Sequence, residues 1–237
     1  MFKFVSALSL SFILFSSAAS ADFLGIYAGG GSWNHDPSGD FSGNTGTAID
    51  IAGDLNSSAK SEGYAWLAFE HPVPLIPNIR LEKTALTQTG NLSVSGKDFN
   101  GVASGASSIT LDSTDAILYY RLLDNWVNFD LGLNLRKIDG NFTVGSSDVK
   151  FSQSIPMLYV AAQFDLPFSG FSVGADVNVV SYQGSTYNDV RLRALYEMGV
   201  IGFEVGTRTT TLTLDNVDNI NADLKFSGLM LGMFLHF

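Results

Sequence analysis

The chain has no cysteine among its 237 residues, which excludes disulfides, thiol catalysis and thiolate metal sites. Basic residues are scarce. Thirteen Lys and Arg face 23 Asp and Glu, a formal charge of −10, so nucleic acid is not an expected partner. A polybasic stretch for docking on an anionic leaflet is also missing. There are three histidines, too few and too scattered to suggest a His-based active site. No run reaches the ~18 apolar residues of a membrane helix. What is abundant is glycine (24) and phenylalanine (18).

The N-terminus reads as an export signal. Lys3 precedes a mostly apolar stretch, Phe4 to Phe15, and Ala19-Ser20-Ala21 has the small-x-small form of a cleavage site. Residues 1–21 are therefore expected to be a cleaved signal peptide, and 22–237 a single β-barrel domain.

Alternation dominates that domain. In Trp126 to Lys137, Val127, Phe129, Leu131, Leu133 and Leu135 share one face, opposite Asn128, Asp130, Asn134 and Arg136. The same pattern recurs around 158–166, 171–179, 190–198, 203–208 and 229–237. These stretches exceed the ~5–6 residues of an ordinary strand and suit the ~9–11 of a tilted membrane strand. The second face carries charges, as a lumen would. The fold expected is an all-β, transmembrane, up-and-down antiparallel β-barrel of ten strands, with eight or twelve as alternatives.

Short turns are expected at 71–78, 123–125, 166–170 and 199–202, on the periplasmic side. Longer polar stretches, 34–61, 90–109, 139–152, 183–188 and 214–222, read as extracellular loops. His35 falls in the first of these and would face the outside. Trp126 and Phe203 would mark the periplasmic rim, and Trp33 and Tyr182 the outer one. Gly29-Gly30-Gly31 would relieve crowding or permit a bend at the seam.

The lumen face should hold Glu70, Arg80, Glu82, Arg121, Asp130, Arg136, Asp165, Asp176, Arg191, Arg193, Glu197, Glu204 and Arg208. Such residues either fill a narrow barrel as a paired network or line a solute path. His71, Pro72, Pro74 and Pro77 stiffen one periplasmic turn. The Asn/Asp-rich stretch 215–223 offers oxygen ligands without the spacing of a calcium loop, so neither a metal nor a cofactor is expected.

The segments EHPVPLIPNIRL (70–81), LYYRLLDNWVNFDLGL (118–133), IPMLYVAAQFDLPFSGFSVGAD (155–176) and NADLKFSGL (221–229) together resemble a Gram-negative outer-membrane β-barrel family with EHPVP-x-x-PN, LYY…LDN and LPF-x-G turns. That family has no characterised activity. The resemblance implies the barrel fold and a cell outer-membrane location. Leu229, Leu231, Met233, Leu235 and Phe237 likewise resemble the C-terminal signal read by the barrel-assembly machinery. The implied partners are outer-membrane lipid and lipopolysaccharide, with that machinery and periplasmic chaperones during biogenesis. The oligomeric state is left open. The functions in view are a non-enzymatic structural barrel or narrow pore, a surface binding module using the long loops, and an enzyme acting on lipid or peptide, with His35 beside Asp36, Ser38 and Asp40 as its local candidate.

Overall fold

The structure, a computed structural model, describes residues 24–43, 47–73 and 75–237. The expected signal peptide and Pro74 lie outside them. The described chain is all β: β1 (Gly25–Ser42), β2 (Ile49–Asp50), β3 (Lys60–Glu70), β4 (Asn78–Thr84), β5 (Thr87–Leu92), β6 (Gly105–Leu123), β7 (Val127–Val144), β8 (Ser147–Asp165), β9 (Phe171–Tyr182), β10 (Ser185–Met198), β11 (Ile201–Val217) and β12 (Ile220–His236).

Neighbours in sequence pair antiparallel, and β12 returns to β1 from Tyr27↔His236 to Ser42↔Asn221. The ring is therefore closed, which leaves no open sheet edge to lipid. β4 and β5 both pair with β6 and act as one stave interrupted at Ala85–Leu86. Two-residue β2 adds to the upper part of β1. The barrel accordingly has ten staves.

A belt of outward apolar side chains surrounds the end at which β1 starts and β12 finishes, the termini end. On β12 it runs through Leu229, Leu231, Met233, Leu235 and Phe237, all exposed. On β7 it is Leu131, Leu133 and Leu135, and on β9 Phe171 and Val173. The nine residues from Leu229 to Phe237 match the length of a bilayer-crossing strand. A continuous apolar belt of this extent is untenable in water.

Beyond the belt the strands continue, and their alternation inverts. On β12 the inward residues become Ile220, Ala222, Leu224 and Phe226, while Asn221, Asp223 and Lys225 point out. On β7, Ile138, Phe142 and Val144 turn inward and Lys137 and Asp139 outward. The distal half is thus built like a water-soluble barrel, with polar outside and apolar inside.

This inversion corrects the expected loops. Residues 139–152 and 214–222 are largely strand, closed by turns at 145–146 and 218–219, and 183–184 is another such turn. Asn216, Asp218 and Asn219 hold positive φ there, a conformation that Asn and Asp tolerate better than most. Among the described residues, only the stretches within 43–59 and 93–104 remain long connections. They are not simple solvated loops either, because Ile49, Ile51, Leu55 and Phe99 are buried in the barrel.

Candidate functional site

The lumen is the candidate site, and it has three levels. At the termini end it is an open cup. At mid-height it is crossed by a belt of ion pairs. Toward the distal end it is filled by an apolar core.

The ion-pair belt starts at Arg136, which is fully buried. Its Nε lies 2.6 Å from Asp115 Oδ1 and its Nη2 2.8 Å from Asp189 Oδ2. Arg208 grips the same Asp189 with Nε at 2.9 Å and Nη2 at 2.6 Å, and donates from Nη1 to Thr84 Oγ1 at 3.0 Å. Glu82 receives both Arg191 terminal nitrogens and Arg80 Nη2 at 3.1 Å. Arg193 joins Asp176 at 2.8 Å and Glu204 at 3.4 Å, while the Tyr64 hydroxyl donates to Glu204 at 2.5 Å. Five guanidinium groups thus meet five carboxylates. Forked, charge-assisted contacts of this kind offset part of the several kcal/mol that each buried ion costs.

Above the belt, Trp33, Phe41, Phe142, Phe226, Leu224 and Ile109 form part of one buried cluster together with the 43–59 and 93–104 segments. Here two expectations are corrected. His35 is not in an outer loop: it points inward from β1, fully buried, with Gln88 Nε2 3.0 Å from its Nδ1. Trp33 is not a rim residue. Its ring lies inside, 4.9 Å from the Arg208 guanidinium carbon. Tyr182, by contrast, is exposed. Placing His35 in a loop and Trp33 at the rim followed from ending the first strand where its apolar-out pattern stops, although the strand goes on to Ser42 with its inside apolar.

Below the belt is a cavity of about 470 Å³ open at the termini end. Its wall includes Glu70, Arg121, Asp130, Asp165, Glu197 and His236. Glu70 Oε1 accepts from the Tyr119 hydroxyl and Arg121 Nη2, both at 2.6 Å. Arg121 Nε reaches Asp130 at 3.1 Å. Asp165 accepts from Asn128 and Gln163. His236 Nδ1 is 2.8 Å from Glu197, and its ring stacks on Tyr27.

All twelve charged residues expected on the lumen face, and Glu70 with them, point inward. The strands bring Arg80, Glu82, Arg136, Arg191, Arg193, Asp176, Glu204 and Arg208 together in the belt; Glu70, Arg121, Asp130, Asp165 and Glu197 gather in the cup. Asp115 and Asp189, both central to the belt, escaped the sequence reading. Their parity with Arg121 and with Arg191 and Arg193 is the signal that places them inside. His71, Pro72 and Pro77 lie in the β3–β4 connection, where the His71 amide donates to Asn78 Oδ1 at 3.0 Å.

The fold is that of an outer-membrane β-barrel. The chain is similar in structure to the outer membrane protease OmpT from Escherichia coli, with a TM-score of 0.53 over 92% of this chain and 98% of that one, at 10% sequence identity. Weaker likenesses are to the translocator domain of the autotransporter NalP from Neisseria meningitidis (TM-score 0.36, 10% identity, 98% and 95% of the two chains) and to an outer membrane channel from Pseudomonas putida F1 (TM-score 0.38, 12% identity, 93% and 100%). No protein-family model and no curated protein matches the sequence.

Proposed function

We propose that the chain is an integral, non-enzymatic outer-membrane barrel of a Gram-negative bacterium whose lumen is closed, a structural membrane protein and not a diffusion pore. The observation that carries this reading is the buried chain Asp115–Arg136–Asp189–Arg208 spanning the lumen beneath an apolar core. An ion on its way through would have to break several forked pairs and then cross a dry region. In this reading the termini end faces the periplasm, the belt lies in lipid, and the distal half stands in the extracellular medium among lipopolysaccharide. Export through a cleaved signal and insertion by the barrel-assembly machinery belong to the same proposal, with the C-terminal residues of β12 as the segment that machinery reads.

The surface-binding reading receives less support. Much of 43–59 is committed inward through Ile49, Ile51 and Leu55, and Lys97 of the second connection ties back to Asp54 at 3.2 Å. For the enzyme reading, the local candidate His35 is sealed from solvent.

The test is conductance in a planar bilayer of chain refolded without residues 1–21, with a heat-dependent gel shift to establish folding. The expected outcome is a folded barrel that carries no steady current. Reproducible conductance steps would overturn the closed-lumen reading.

A further inference from the structure

The belt and the cup differ in charge. Five arginines balance five carboxylates in the belt. The cup beneath it is lined by Glu70, Asp124, Asp130, Asp165, Asp176 and Glu197 against Arg80, Arg121 and Arg193, with Arg80, Asp176 and Arg193 shared with the belt at its inner end. An excess of negative charge in a concave, low-dielectric site focuses the field on whatever enters. The walls are also aromatic: Trp66, Tyr119, Tyr159 and Phe234 line it. Aromatic faces attract cations, and the Arg80 guanidinium already sits 4.3 Å over the Trp66 ring at the inner end.

Glu70 supplies an independent pointer. The residue is buried, with 8% of its surface exposed. Oε1 is fully engaged, but Oε2 is buried without a hydrogen-bond partner. Asn128 Oδ1, on the same wall, is likewise without one. Both orphans are acceptors, and a buried acceptor left unsatisfied is costly. What is missing is a donor. A metal ion fits poorly, since among the described residues no three Asp, Glu or His side chains converge to hold one.

We propose that the cup is a binding site for a small organic cation, an amine or guanidinium compound, whose charged end donates to Glu70 and whose carbon chain lies against the aromatic wall. The volume is within the range of small-molecule sites. The proposal goes beyond the structural reading and uses the ion-pair belt only as the cup's blind end.

The experiment is isothermal titration of agmatine into the refolded chain in zwitterionic micelles, with uncharged 1,4-butanediol as control. The expected result is saturable one-to-one binding of agmatine, none of the diol, and affinity at least tenfold weaker in Glu70→Gln. If that variant fails the gel-shift test, Asp124→Asn with Asp165→Asn at the mouth replaces it, with several-fold weakening expected. A cup filled only by water gives no saturable heat with agmatine, and that result overturns the proposal. Equal binding by the folded variants also overturns it. A barrel that conducts yet binds agmatine in this pattern would sink the closed-lumen reading and leave this one standing.

Discussion

Asp189 receives the Arg208 guanidinium edge-on, one oxygen for Nε at 2.9 Å and the other for Nη2 at 2.6 Å, and shares the second with Arg136 at 2.8 Å. One carboxylate thus anchors two fully buried cations. Removing it leaves Arg136 with Asp115 alone and Arg208 with only the more distant Glu82, 3.7 Å away, and breaking a buried pair from one side costs about 3–5 kcal/mol. Asp189→Ala is therefore expected to lower the urea midpoint of the refolded barrel by an amount equivalent to roughly that loss. Asp139→Ala, which removes an exposed partner of Lys137, should leave the midpoint where it is. A midpoint unchanged by Asp189→Ala would mean that water already solvates the belt.

The position of that belt was partly legible in the sequence. Wherever the outward face is apolar, the opposite parity gives the lumen, and Arg191, Arg193 and Arg208 are readable as inside from Leu192, Val205 and their neighbours. Legibility fails where the environment changes along one strand. From Leu135 to Ile138 the apolar residues step from odd to even positions, because the outward belt ends and the inside of the barrel becomes the dry side. Read for one constant phase, the distal half looks like polar loop. Asp189 was lost for the same reason, standing at the edge of a presumed turn.

That change of phase makes a prediction that one strand can test. Phe226 of β12 is fully buried in the distal core, whereas Leu231 is 63% exposed on the belt. Phe226→Ala is expected to cost about 3–5 kcal/mol, the range for a buried aromatic. Leu231→Ala should cost far less, but Leu231→Arg should cost about 2–4 kcal/mol if the belt lies in the bilayer. Urea unfolding in liposomes gives all three. An arginine at 231 as harmless as one at exposed Lys225 would remove the belt from the membrane.

The seam between β1 and β12 depends on a missing side chain. A Cβ at Gly31 would meet the Leu231 carbonyl oxygen on β12, with the Tyr64 hydroxyl 2.7 Å away, and backbone cannot yield as a side-chain tip can. Gly31→Val should therefore cost at least the ~1–3 kcal/mol of overpacking and slow formation of the heat-shifted species. Gly63→Ala is the control, since its Cβ would approach nothing closer than 3.9 Å. Equal folding of the two variants would show that the seam has slack.

The lumen is closed twice, and two closures in series give a result that one would not. Ile49, Ile51 and Leu55 belong to the apolar core, so deleting 48–57 opens the roof and leaves Arg136, Asp189 and Arg208 in place. Arg208→Ala loosens the belt and leaves the roof. Each change alone is expected to keep the bilayer silent. Combined, they should produce steady current, because no dry layer and no complete ion-pair layer remains. The sign of that current also follows. Loss of Arg208 leaves Asp189 and Glu82 short of a cation, and the cup beyond them holds more carboxylates than guanidinium groups. Cations should be preferred, read as a reversal potential in a salt gradient. Conductance from the deletion alone would show that the belt is permeable, and anion selectivity in the double variant would show that the path avoids it.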